Sequence, residues 1–192
     1  MKQMKYIKII LAALVFFGLA FGVSAQVTGT ATASVTIAAV EVLTVSTASN
    51  PTFSVGAPAV AGELPVITPS GGPTYLQYTV VIDPLVSATK KITAHSSAAM
   101  LDGLKLDIWA AAPTGTGGVG TAAAGGLSLD SSYTTPDTSD LITGITSCAT
   151  GSGITQGPAI YYTLSIDAAT FDAMETTAAA ADYTITFTLL DG

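Results

Sequence analysis

Apolar and polar side chains alternate with a period of two along most of the chain after its first 25 residues. The clearest cases are five segments, which cover residues 27–37, 75–82, 104–110, 159–167 and 183–190. This alternation is typical of β-strands that bury one face. The many threonines in these segments have a branched Cβ, which suits a pleated surface. The pattern predicts an all-β protein.

A helical period appears in one place, near residues 168–176. There Asp167 is a candidate N-cap, and Ala168, Phe171 and Met174 share one face of the turn that follows. Strands do not alternate with long helices, as they do in sequences that form parallel sheets. With about nine predicted strands and one short helical turn, the expected fold is an antiparallel two-sheet sandwich of the immunoglobulin-like or pilin-like kind.

The first 25 residues have the parts of a secretory signal peptide. Three lysines precede an uncharged apolar run over residues 9–23, and Val23-Ser24-Ala25 places small or slim side chains at the two positions that a signal peptidase recognises, which favours cleavage before Gln26. The alternative is a retained membrane anchor, but the run is shorter than the roughly 20 residues that a helix needs to span hydrocarbon. We expect cleavage, no membrane attachment afterwards, and a single sandwich domain over residues 26–192.

The mature chain is strongly acidic. Its only cations are Lys90, Lys91 and Lys105, which face thirteen acidic residues and give a net charge near −10. Nucleic acids and anionic membrane surfaces repel a chain of this charge. We therefore expect neither as a partner.

Residue types that carry chemistry are scarce. Cys148 is the only cysteine, so it is either a small buried core residue or a partner for a cysteine of another chain. His95 is the only histidine, and one histidine cannot build a multi-histidine zinc site. No serine lies in a G-x-S-x-G motif. The sequence predicts no catalytic residues and no organic cofactor.

One acidic loop is a candidate metal site. Asp130, Asp137 and Asp140 lie close together in the sequence, with serine and threonine hydroxyls among them. Calcium takes about six to eight oxygen ligands from loops of this kind, although the spacing matches no EF-hand. The two interpretations are a calcium site and an ordinary solvated turn.

Aromatic residues suggest a second candidate site. Trp109 and the tyrosines at positions 75, 78, 161 and 162 all fall in predicted strands. Together they would form an aromatic platform for a sugar ligand. The alternative is that they are core residues or cross-strand pairs, which is the more frequent role of tyrosines in strands.

The two end strands support a family resemblance. A strand rich in threonine and alanine follows the leader at residues 27–37, and the chain closes with Asp-Tyr-Thr-Ile-Thr-Phe-Thr-Leu at residues 182–189. In these features the chain resembles secreted pilin-like subunits of bacteria, among them fimbrial and spore-coat-type β-sandwich proteins. It lacks the disulfide and the tyrosine next to the C-terminus that are usual in chaperone–usher fimbrial subunits.

The resemblance implies that an N-terminal extension of one subunit completes a sheet of the next. The candidate donor strand is residues 26–38. A donated strand pairs its backbone with an open edge and fills a row of pockets with every second side chain. The alternative is an ordinary first strand of the same domain. The candidate assembly residues are Val27, Gly29, Ala31, Ala33, Val35 and Ile37.

The function expected from the sequence is that of an exported, non-enzymatic structural subunit of a cell-surface fibre, pilus or coat, with copies of itself as partners. One alternative is a secreted carbohydrate-binding or adhesive module. A second is a secreted hydrolase that uses two dispersed carboxylates.

Overall fold

The alternating segments form antiparallel strands in the computed structural model, which describes residues 34–47, 49–134, 138–177 and 180–192. The described residues contain thirteen strands and a single turn of 3-10 helix at Phe171–Ala173. The strands are β1 (Val40–Thr47), β2 (Thr52–Gly56), β3 (Val66–Ser70), β4 (Thr74–Val81), β5 (Lys90–Ser96), β6 (Leu104–Ala110), β7 (Thr116–Gly117), β8 (Thr121–Ala122), β9 (Leu127–Leu129), β10 (Ser139–Ile145), β11 (Cys148–Ala149), β12 (Ala159–Ile166) and β13 (Ile185–Asp191).

Three antiparallel sheets organise these strands. The largest has seven strands in the order β7-β11-β4-β12-β6-β9, with β1 paired to the other side of β4. A second sheet has the order β13-β5-β10-β8, and β2 pairs with β3 in a separate hairpin. Within the described residues, β1 and β13 each pair with one neighbour only, so each is the edge of its sheet.

One apolar core lies between the seven-stranded and the four-stranded sheets, because both contribute their buried faces to it. In β4 and β6 every second side chain is buried, as the alternation predicts. The predicted all-β, antiparallel architecture is confirmed, and the two sheets around a shared core are consistent with a sandwich. The largest fully buried hydrophobic side chains are Leu76, Val80, Ile92, Ile108, Leu127, Leu129, Leu141, Ile142, Ile145 and Ile160.

The helical turn and the number of strands differ in detail from the sequence prediction. The turn expected near residues 168–176 is confined to residues 171–173. Asp167 is not its N-cap, which is Thr170; the Asp167 carboxylate instead accepts hydrogen bonds from the Ala169 N–H (3.0 Å) and the Thr170 hydroxyl (2.9 Å) in the bend just before the 3-10 turn. The additional strands include β7, β8 and β11, which have two residues each. Pairings this short leave no periodic signal in the sequence.

Residues 37–192 form one compact unit. The strand predicted over residues 27–37 falls mostly outside the described residues. Residues 34–39 contain no strand, and the side chains of Val35 and Ile37 are 83% and 75% exposed. No helix among the described residues is long and apolar enough to cross a membrane. Of the six candidate assembly residues, Val27, Gly29, Ala31 and Ala33 lie outside the described part of the chain.

Candidate assembly edge and aromatic groove

The core is incompletely covered along β1. The register places Leu43 opposite Tyr78 and Val45 opposite Leu76, so both β1 side chains share the core-facing side of β4. Leu76 and Tyr78 are 0% and 2% exposed, but Val45 is 49% exposed. The row of core side chains therefore continues onto β1, where Leu43 packs against the core and Val45 is left half-exposed.

The edge of the smaller sheet shows the same feature. Ile185, Phe187 and Leu189 of β13 pair with positions of β5 whose side chains are buried. The three β13 side chains pack against the core but remain only half-buried. Each of the two sheets thus ends in an edge strand whose core-facing row is partly open to solvent.

Strand β1 has few of the features that normally protect an edge. Proteins blunt exposed edges with proline, lysine, bulges or short strands. This strand has eight residues, no proline and no lysine, and it pairs with β4 without a register shift. Its valines Val40, Val42 and Val45 are 38%, 51% and 49% exposed. Such a strand is a template for pairing with another chain.

Its single charged residue, Glu41, is engaged in an ion cluster. Lys90, at the start of β5, is 7% exposed, and its Nζ lies 2.7 Å from Glu41 Oε1 and also contacts Asp191 Oδ1 of β13. The hydrogen bond to Asp191, followed by that to Glu41, raises the pKa of Lys90. The hydrogen bond from Lys90 lowers the pKa of Asp191. The cluster fastens β1 and β13 to the same buried ammonium group.

This cluster predicts a pH dependence of stability. Because the pKa of Asp191 is lowered by folding, its contribution falls away as the pH drops below the ordinary value of 3.8. Because the pKa of Lys90 is raised, its contribution is lost as the pH rises above 10.5. Asp191→Asn should lower the Tm at neutral pH by no more than about 2–4 °C, since its carboxylate is largely exposed.

The measurement is thermal unfolding followed by circular dichroism across the pH range. The difference in Tm between wild type and Asp191→Asn should shrink at both extremes of pH. A difference that stays constant from acid to alkali would contradict the role given to Asp191. Asp172→Asn is the control, because Asp172 is exposed and lies in the 3-10 turn.

The structure gives local partners to two of the three candidate calcium ligands. Asp130 Oδ1 accepts hydrogen bonds from the Ser132 N–H (2.8 Å) and hydroxyl (2.6 Å), and these bonds lower the pKa of its carboxyl. Asp140 forms an ion pair with Lys91 at 3.2 Å. Asp137 lies outside the described residues. In the part of the chain that the structure describes, no three acidic, histidine or cysteine side chains are grouped as metal ligands would be.

The single cysteine and the single histidine have ordinary positions. Cys148 is a free thiol in the core, 8% exposed, and burial raises its pKa. This agrees with the prediction of a small core residue. His95 is half-buried near the C-terminal end of β5, where it pairs with Thr186 of β13.

The predicted aromatic platform separates into core and surface residues. Tyr78 is 2% exposed and its hydroxyl donates to the Val119 carbonyl. The hydroxyl of half-buried Tyr162 is hydrogen-bonded to Thr74 Oγ1 at 3.1 Å. Burial raises the pKa of both tyrosines. These two rings belong to the core and its margin.

Trp109 and Tyr161 form the exposed part of the platform. They pair across β6 and β12, their ring centroids are 4.5 Å apart with an interplanar angle of 24°, and they are 44% and 39% exposed. Beside Tyr161 lies a groove of about 160 Å³, which we call the aromatic groove. It is lined by Pro51, Phe53, Pro69, Ser70, Gly71, Gly72, Pro73, Tyr161 and Tyr162.

Comparison of the chain with models of known protein families, with curated proteins and with solved structures found no match. We therefore infer its function from its own geometry. The inference uses two features of the described residues, the edge at β1 and the aromatic groove.

Proposed function

We propose that the mature chain is an exported, non-enzymatic structural subunit of a surface fibre, pilus or coat, with a pilin-like sandwich fold, and that copies assemble by strand donation. The observation that carries this proposal is the open edge at β1, where half-exposed Val45 continues a row whose next member, Leu76, is fully buried. A strand laid along this edge would pair its backbone with β1 and cover the open row.

The segment of residues 26–38 has the chemistry of such a strand. Its sequence alternates small apolar residues with threonine and serine and contains no charge. Gly29, Ala31 and Ala33 are small, and they would fit along the open row of β1 because the side chains of β1 already occupy part of it. Burial of Val27 and Ile37 would each contribute about 1.5–3 kcal/mol.

Charge also favours a specific contact over general association. A net charge near −10 makes mature chains repel one another at a distance. The donor segment is uncharged, and the single carboxylate of β1 is ion-paired with Lys90, which it shares with Asp191. A donor segment without charge adds no repulsion of its own to this approach.

The hydrolase alternative requires two carboxylates about 5–10 Å apart in a cleft. The aromatic groove is lined by no acidic side chain among the described residues. The second groove, near the end of β4, includes Asp83 as its one acidic lining residue within that part of the chain. Neither of these two grooves supplies the pair.

Substitution at the edge tests the proposal. Val45→Lys should leave the fold intact, because a lysine at a half-exposed position keeps its ammonium in water, but its charge should block strand addition. The expected result is at least a tenfold loss of polymer by size-exclusion chromatography and electron microscopy.

The matched control is Val60→Lys. Val60 is 58% exposed and lies in the connection between β2 and β3, away from either edge strand. This variant should polymerise like the wild type. Equal polymerisation of both variants, or none by the wild type, would refute assembly at β1.

A further inference from the structure

We propose that the aromatic groove binds one sugar ring of a neutral polysaccharide, with Tyr161 as the stacking residue. The inference does not rest on strand donation, because the groove is formed by the β2–β3 hairpin and by Tyr161 and Tyr162 of β12, and β1 contributes no residue to it.

Tyr161 is held in place before any ligand arrives. Its ring stacks on Trp109 at a centroid distance of 4.5 Å, which restricts the rotamers that either side chain can adopt. Its neighbour Tyr162 is fixed by the hydrogen bond to Thr74. A ligand that stacks on a ring already in position pays little conformational entropy.

The opposite wall of the groove is also fixed. Phe53 of β2 pairs with Pro69 of β3, and the chain then turns through Gly71, whose φ is +89°. A Cβ at Gly71 would lie 2.5 Å from the carbonyl oxygen of Asn50, so glycine allows the chain that leaves β3 to pass close to the backbone just before β2. Prolines at both ends of this wall limit its movement further.

The lining selects the class of ligand. Aromatic and proline residues supply apolar surface to the lining, and Ser70 and the two glycines bring hydrogen-bonding groups to it. A pyranose ring has the complementary surface, with C–H groups on its face and hydroxyls around its edge. No charged side chain among the described residues lines the groove, and the acidic chain repels anions. Both facts favour a neutral sugar.

The volume limits how much of the ligand is held. Pockets for drug-sized molecules begin at about 300 Å³, whereas this groove has about 160 Å³. It accommodates one ring and is too short for an extended proline-rich peptide, which needs contacts over several residues. A site of this size binds weakly, and an array of copies on a surface would multiply its effect through avidity.

The single tryptophan of the chain provides the test, since Trp109 lies against the proposed stacking residue. The mature chain is titrated with hexasaccharides of cellulose, chitin, β-1,3-glucan and starch while tryptophan fluorescence is recorded. We expect a saturable change with at least one of them. Tyr161→Ala should weaken that binding at least tenfold, and Tyr161→Phe should retain it.

Phe171→Ala is the matched control, because Phe171 is an aromatic residue of similar exposure, 37%, outside the groove. It should bind like the wild type, and circular dichroism should show that all variants are folded. The proposal is overturned if no hexasaccharide gives a saturable change. It is equally overturned if Tyr161→Ala binds a hexasaccharide as tightly as the wild type does. Binding of tetramethylammonium or of a proline-rich peptide, with no binding of any sugar, would also overturn it.

Discussion

A mature chain that begins at residue 39 is expected to stay folded and monomeric, whereas the chain that begins at Gln26 polymerises. The truncation removes no described strand, because β1 begins at Val40 and its first core-packing side chain is Leu43. It does remove the uncharged alternating segment that we propose as the donor. The edge at β1 should then remain open, which makes the truncated chain prone to aggregate at high concentration.

The comparison is made by size-exclusion chromatography, circular dichroism and electron microscopy on the two chains. Addition of a peptide of residues 26–38 to the truncated chain should suppress its aggregation and raise its Tm, because ligands that bind only the folded state stabilise it. If the truncated chain is unfolded and the full mature chain stays monomeric at high concentration, the segment is an ordinary first strand of its own domain. That outcome would favour the carbohydrate-binding alternative for the whole chain.

Two neighbouring substitutions sharpen this test. Ala33→Phe places a large ring on the face of the segment that enters the row, where overpacking a fitted groove is destabilising. Thr32→Phe adds a ring one position earlier, on the opposite face of the same strand. Polymerisation should be lost in the first variant and retained in the second. Loss of polymerisation in both variants would show that added bulk blocks assembly whichever face of the strand carries it.

The largest loss of stability is expected for Leu76→Ala. Leu76 is 0% exposed in β4, opposite Val45, and its N–H donates to the Pro158 carbonyl at 3.1 Å. Its truncation leaves a cavity in the core and should reduce the free energy of unfolding by about 2–5 kcal/mol. The measurement is urea-induced unfolding of the chain that begins at residue 39, so that assembly does not contribute.

Leu85→Ala is the control for the same change of side chain. Leu85 follows β4 in a turn and is 94% exposed, so the free energy of unfolding should stay within about 0.5 kcal/mol of the wild type. Similar losses in the two leucine variants would mean that the sheets do not share the core described above.

Strands β4, β6 and β12 could be predicted from the sequence because each has one face on the core and one face near solvent, which yields alternation. Strand β10 is less regular. Its pairing with β5 shifts register around Ile142, and both Leu141 and Ile142 are buried, so a period of two is lost there. Strand β2 also follows from the sequence, whereas the prolines and glycines of residues 56–74, which include β3, indicate a long loop or edge. Pro69 lies within β3, a position tolerated in a two-stranded edge.

The aromatic groove could be predicted only in part. Alternation in β6 and β12 places Trp109 and Tyr161 on the outward face of each strand, and this much follows from the local sequence. Their stacking depends on the register between strands that are about fifty residues apart, which no local pattern determines. The hairpin wall was not predicted at all, because its approach to Tyr161 is a tertiary contact. A run of prolines and glycines at residues 69–73 before a tyrosine-rich strand was the available signal.

The open edge at β1 has a consequence for the form of the assembly. In the assembly that we propose, a donor at the start of the chain and an acceptor along β1 are different surfaces, so contacts between copies would be heterologous. A contact of this kind continues indefinitely unless its rotation closes a ring. The proposed filament would be polar, with an unused donor at one end and an unfilled acceptor at the other. Its length would then not be encoded in the subunit, and growth at the acceptor end would stop when a molecule that has no acceptor edge of its own occupies or covers that edge.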